Sequence, residues 1–165
     1  MADSLTPAER SHRMSLIRSS NTKPELLLRR ALHAAGVRYR LHKRDLPGKP
    51  DLVFGKARTV LFVNGCFWHG HKCPTGHIPK SNSEFWRRKI VANRARDARS
   101  IRQLRMAGWK VIVVWECATN PKRLPTTVYR VLESLVKSRT KGIVPASIAA
   151  TSSRSIRGRP DDAEL

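Results

Sequence analysis

Apolar positions recur along this chain with two different periods, and the switches between the periods mark out its elements. The segment 6–17 has a helical rhythm but is too polar to carry a core stripe; Thr6 serves as its N-cap and Pro7 as its first turn. Thr22 and Pro24 then open a stronger helix over 25–35. Its Leu26, Leu27, Leu28, Ala31, Leu32 and Ala35 include a face of period 3.6, and Gly36 is its stop. Two short runs, 37–41 and 51–54, predict strands on either side of a Pro/Gly-rich turn, and 59–63 is a third, more apolar strand. A long helix follows over 84–107, capped by Ser83 and stopped by Gly108. Its apolar residues Phe85, Ile90, Ile101 and Leu104 are few, and arginines crowd its other faces. The run 109–115 is continuously apolar, the pattern of a strand buried on both faces of a sheet, and 126–136 is a last amphipathic helix. From 138 onward the periodicity stops. The order helix, strands, helix, strand, helix predicts one α/β domain over 1–137, with a mixed central sheet flanked by helices, and a disordered basic tail over 138–165.

Charge narrows the class. The chain of 165 residues carries 33 Lys plus Arg against 12 Asp plus Glu, a net charge of +21. The tail holds five basic and three acidic residues, so the body keeps about +19. A body so basic is drawn to polyanions. Nucleic acid fits better than a membrane: no basic amphipathic helix has a broad apolar face, and no run approaches the roughly 20 apolar residues of a span. The N-terminus lacks a signal-peptide layout, and three cysteines argue against a disulfide framework, so the expected compartment is the cytoplasm.

The densest chemistry lies at 64–73, where two thiols, two imidazoles and two large aromatics share ten residues. Cys66, His71 and Cys73 follow a C-x4-H-x-C spacing, and the third cysteine, Cys117, lies just past the apolar run 109–115. Three thiols and one imidazole form a usual tetrahedral zinc set, and four protein ligands make such a site structural. His69 and His77 are near enough in sequence to compete as ligands. Asp51, at the start of a strand after a basic turn, is placed as nuclease carboxylates that hold magnesium often are, although such an Asp is more often only a cap. Trp109 and Trp115 flank the buried strand as core residues, and His12, His33 and His42 belong to no constellation.

The runs 46–51, 64–71 and 84–86, together with Cys73 and 114–117, resemble the very-short-patch repair (Vsr) endonucleases. The likeness reaches from the N-terminal helix to about residue 137. It implies a fold like that of type II restriction endonucleases, and nicking of DNA on the 5′ side of a thymine mispaired with guanine, the lesion left when 5-methylcytosine deaminates. Carried over by position, Asp51 and the main-chain carbonyl of Val63 would hold Mg2+, Glu25 would support the water, and His69 would relay protons. Zn2+ would be structural. Glu25 has a rival reading as a first-turn acid stabilising the helix dipole. Phe67, Trp68 and Trp86 would wedge the mismatch from the major groove, with Met14 and Ile17 entering from the minor groove; the rival role for all five is packing.

The resemblance further implies a monomer in a bacterial cytoplasm, associated with the nucleoid. Its partner would be double-stranded DNA with a T·G mismatch, and its companions mismatch-repair proteins and a cytosine-5 methyltransferase. Two positions depart from the family pattern. Some members carry histidine where this chain has Asn64, beside a hydroxyl residue where it has Val63. Asparagine can hydrogen-bond but cannot exchange a proton near neutral pH. Asn64 therefore leaves a second reading, a catalytically silent zinc module that binds mismatched or bent DNA. An RNA-binding protein is more distant, because the aromatics gather at a metal loop and not on an open sheet face.

Overall fold

The computed structural model describes residues 20–41, 43–80 and 82–141, with residues 6, 9, 12 and 16 of the N-terminal segment. Within that segment Glu9 and His12 are helical, and Thr6 exchanges hydrogen bonds with Glu9. The Thr6 N–H and hydroxyl donate to the Glu9 carboxylate at 2.8 Å each, and the Glu9 N–H returns to the hydroxyl at 3.3 Å. This reciprocal capping pair supports Thr6 as an N-cap.

Helix α1 (Lys23–Ala34) starts after Thr22 with Pro24 in its first turn. It ends as Gly36 predicts: Gly36 turns to φ +81°, its N–H reaches the His33 carbonyl, and the Val37 N–H reaches the Leu32 carbonyl. Helix α2 (Ser83–Met106) closes the same way at Gly108, with the Trp109 N–H on the Leu104 carbonyl. In both, the residue after glycine packs back towards the core and satisfies carbonyls that the helix leaves open. Arg58 reinforces the second closure, its guanidinium donating to the Ala107 carbonyl at 2.7 Å and lying 5.2 Å over the Trp109 ring.

The sheet has four strands in sequential order: β1 (Arg40–Leu41), β2 (Leu52–Phe54), β3 (Thr59–Asn64) and β4 (Lys110–Trp115). The first three are antiparallel neighbours; β3 and β4 run parallel, joined by the crossover through α2. Helix α1 and the last helix, α3 (Leu124–Lys141), cover one face. Leu28, Leu32, Val131 and Leu135 pack there on Leu52, Phe54, Leu61 and Val114. On the other face Leu104 of α2 packs on Val53 and Val60. Strand β3 thus buries alternate residues to both sides, which is why its sequence reads as an unbroken apolar run. Leu61 is fully buried, and truncating it to alanine would cost about 2–5 kcal/mol.

The structure moves three boundaries. The first strand keeps only two residues, because Val37 is spent on closing α1 and the Tyr39 hydroxyl is tied to the Arg29 carbonyl at 2.9 Å. The residue that caps α2 is Asn82, in the left-handed region at φ 51°, in place of Ser83. Helix α3 runs on through Lys141, past the expected domain end at 137. The Ser138 hydroxyl donates to the Ser134 carbonyl at 2.8 Å and accepts from the Thr59 hydroxyl at 3.4 Å. Residues 142–165, expected as a tail, fall outside the described residues. No described helix is long and apolar enough to cross a membrane.

Candidate functional site

Parallel pairing of β3 with β4 puts Asn64 opposite Trp115, so both strands end at one edge of the sheet. Cys66 lies two residues beyond the first and Cys117 two beyond the second. This register brings together thiols that are distant in sequence, and the Cys117 N–H donates to the Cys66 sulfur at 3.4 Å. His71 and Cys73 arrive from the loop that follows β3. The ligand atoms of Cys66, His71, Cys73 and Cys117 all lie within 4.8 Å of one another. His71 Nδ1 is 3.7 Å from the Cys66 sulfur and 3.6 Å from that of Cys117. A tetrahedral zinc with bonds of about 2.0–2.3 Å would set such edges near about 3.5 Å, so the donor set and its spacing fit.

Surroundings tune this cluster. Burial pushes the Cys66 thiol up to about 12, whereas the Thr75 hydroxyl, then His71, hold Cys73 down at about 6. Trp115 stacks on the His71 ring, centroids 4.3 Å apart and planes 18° from parallel. Expected only as core, Trp115 is half-buried and forms a platform against the His71 imidazole. The Glu116 carboxylate accepts the Cys66 N–H at 3.1 Å. The two rival histidines lie outside the cluster: His77 Nδ1 bonds the Pro74 carbonyl at 2.7 Å, and His69 turns to a carboxylate.

That carboxylate is Asp97 of α2, whose Oδ2 is hydrogen-bonded to His69 Nδ1. Neighbouring Asn93, also on α2 and buried, donates to the Trp68 carbonyl at 2.9 Å. Sequence reading missed both residues, although a signal was present. Trp86, Ile90, Asn93, Asp97, Ile101 and Leu104 recur at intervals of three and four, a single inward face of α2. Polar residues on such a face need partners, and the loop after β3 supplies them.

Asp51 follows the buried Pro50 at the mouth of β2. Its own N–H donates to the Leu61 carbonyl at 3.0 Å, and its Oδ2 accepts the Val63 N–H at 2.7 Å. The carboxylate is thereby fixed against β3, one residue before half-buried Asn64 and the metal loop. Phe67, Trp68 and Trp86 form one half-buried cluster with edge-on rings, at centroid distances of 5.1 Å, 4.9 Å and 6.0 Å. Glu25 sits elsewhere in the bonding pattern. It is 3% exposed, and its carboxylate accepts the Asn21 N–H, the Thr22 hydroxyl and the Arg29 guanidinium at 2.7–2.9 Å. Asn21 and Thr22 lie just before α1, and Arg29 is one turn further along it. Met14 and Ile17 lie outside the described residues, as does His42.

One end of the sheet of this basic α/β protein thus carries a Cys3His cluster, an Asp on the adjoining strand and a His–Asp pair anchored on the same loop. Comparison with known proteins gives the kinship. The family described as DNA mismatch endonuclease Vsr matches residues 2–75. A type II nicking enzyme of Xanthomonas oryzae, V.XorIIP, is 54% identical over 117 residues, covering 71% of this chain and 86% of that protein. V.NmeAIP of Neisseria meningitidis is 48% identical over 124 residues, 75% and 89% of the two chains. The DNA mismatch endonuclease Vsr of Escherichia coli is 42% identical over 118 residues, 72% and 76%. This chain belongs to the Vsr family of DNA mismatch endonucleases.

Proposed function

We propose that the protein nicks duplex DNA on the 5′ side of the thymine in a T·G mismatch, as a monomer with a fold of the type II restriction endonuclease kind. The observation that carries this reading is the Asp51 carboxylate fixed to Val63, immediately before a loop whose His69 is held by Asp97. An extended residue directs its N–H and carbonyl to the same edge of its strand, so the Val63 carbonyl shares the edge where Asp51 stands. Asp51 and that carbonyl are hard oxygen donors of the type magnesium takes. Magnesium bound there would supply Lewis-acid stabilisation of charge on the scissile phosphate. Asp97 accepting from Nδ1–H fixes the His69 tautomer and leaves Nε2 to exchange a proton with the attacking water or the leaving oxygen. Glu25 would support the water through the start of α1. Cys66, His71, Cys73 and Cys117 would hold zinc as a structural staple that keeps His69 and the aromatics in place.

Recognition would come from Phe67, Trp68 and Trp86. Rings inserted at a base step pay for unstacking least where pairing is already weak, which favours a mismatch. Asn93 holding the Trp68 main chain, and the packing of the three rings on one another, support a pre-organised wedge. Asn64 favours a second reading: the side chain that ends β3 cannot move a proton, as a silent mismatch-binding module would tolerate. Incubating the zinc-loaded protein with each of the mismatched duplexes, with magnesium or with a chelator, separates the two. Magnesium-dependent nicking of T·G above other pairs supports the enzyme; tight T·G binding without any break supports the silent module.

A further inference from the structure

Helix α2 presents two flanks to either side of its inward face, and they differ in what they adjoin. Asn93, which holds the Trp68 carbonyl, is bonded on one side by Arg96, at 2.8 Å. On the other side Ile90 meets the metal loop at Gly70, where an added Cβ would come within 2.7 Å of the Ile90 side chain. Beyond Ile90 lie Arg87, Arg94, Arg102 and Arg105, all exposed, at intervals of seven, eight and three that keep to one flank of a helix. They span about 27 Å of helix rise at 1.5 Å per residue. Near their start a groove of about 620 Å³ opens between α2 and the metal loop, with Lys72 and His77 on its loop wall and Arg87, Val91 and Arg94 on its helix wall.

Arg88 has Glu84 at 3.7 Å, but none of these four arginines has an acidic partner among the described residues. Like charges along one helix flank destabilise it, so an uncompensated row is best accounted for by an anion that lies along it. A membrane surface would need an apolar face beside the charges, and this flank offers only Val91 and Ala98. A duplex backbone is a continuous line of phosphates, one per about 3.4 Å of each strand, and so can supply an anion at each point along such a row.

We propose that this flank of α2, continued by Lys72, is a second contact track for duplex DNA, separate from the aromatic wedge. It would hold the phosphate backbone away from the mismatch and carry affinity without mismatch preference. The proposal rests on the reading of DNA as substrate, but not on cleavage. The test compares two variants of equal net charge, R87Q/R94Q/R102Q/R105Q and R30Q/R40Q/K56Q/R130Q, the latter exposed cations of α1, β1, the turn between β2 and β3, and α3. Binding to a short, fully paired duplex is followed against salt concentration, with circular dichroism to verify folding.

The α2 variant should flatten the log–log salt slope by about 3–4, near 0.9 per phosphate contact, and the control variant by less than about 1. The ratio of T·G to T·A affinity should be unchanged in the α2 variant. Equal flattening by both variants would reduce the effect to net charge and overturn the track, as would an unaltered slope in the α2 variant. A lost T·G preference would place the flank inside the mismatch site and overturn the separation. Failure of the wild type to nick T·G DNA would refute the proposed reaction while leaving these slopes to decide the track.

Discussion

Replacing Cys117 with serine tests how the site is built. Within 65–80 only Cys66 and Gly76 are buried, so the loop has almost no apolar core of its own. Its order comes from the Cys/His cluster, from the contacts of Asn93 and Asp97, and from the edge-on packing of Phe67 and Trp68 with Trp86. Structural zinc sets contribute about 10–16 kcal/mol of apparent binding free energy, and an even share gives one ligand about 2.5–4 kcal/mol. That is about 10²–10³ in affinity, at 1.4 kcal/mol per tenfold. Cys117→Ser should therefore weaken zinc by this factor in a chelator competition. The loop should become sensitive to protease while the sheet, with Leu28, Leu32, Leu61 and Val114 untouched, still unfolds cooperatively. Proton release adds a check. With Cys66 pushed up to about 12 and Cys73 held at about 6, zinc must expel at least the Cys66 proton at neutral pH. Affinity should then rise about tenfold or more per pH unit above about 6, and fall more steeply below it as Cys73 reprotonates. Unchanged zinc affinity in Cys117→Ser would refute the four-ligand site.

Three other substitutions probe the parts separately. Asp51→Ala should abolish nicking while DNA binding stays equal or tightens, since a carboxylate beside phosphate is removed; substantial residual cleavage in magnesium would move the active site elsewhere. Asp97→Asn should lower the nicking rate about 10²–10⁴-fold and flatten its pH profile, with DNA affinity and zinc content kept; a normal rate and profile would make the His69–Asp97 contact purely structural. Trp68→Ala should cut discrimination between T·G and paired DNA about 10- to 100-fold, since base–aromatic stacking contributes about 1–3 kcal/mol, and leave the salt slope alone. A preserved preference would assign Trp68 to packing of the loop.

The grouping of Cys66, His71, Cys73 and Cys117 was legible because spacing and residue type both constrain it, and Cys117 could be joined to the others by following the buried strand to its end. What decided the geometry, the Asn64–Trp115 register, is a pairing that no local pattern states. Trp115 read as core for a related reason: an aromatic beside an apolar strand gives no sign that its partner is an imidazole. Gly36 and Gly108 located the ends of α1 and α2, since each chain reversal there takes a left-handed residue.

Asp97 and Asn93 escaped because the long helix was judged by its apolar residues, which are sparse. Its inward face is completed by polar side chains whose partners lie on the metal loop, about 25 residues earlier in sequence. Only counting every residue on that face, polar ones included, would have found them. Glu25 shows the opposite limit. The sequence left Glu25 either as a first-turn acid stabilising the helix dipole or as a support for the water, and the structure shows its carboxylate engaged by Asn21, Thr22 and Arg29.

Mapping the break is the most direct test of the proposed activity. A T·G duplex labelled at one end of each strand, alongside its T·A counterpart, is incubated with the zinc-loaded protein and magnesium, and with Asp51→Ala in parallel. The expected result is a single break in the thymine strand at the phosphate 5′ of the mispaired T, absent from the T·A duplex and from the Asp51→Ala reaction. Breaks in both strands, equal cutting of the T·A duplex, or no break despite tight T·G binding would contradict it.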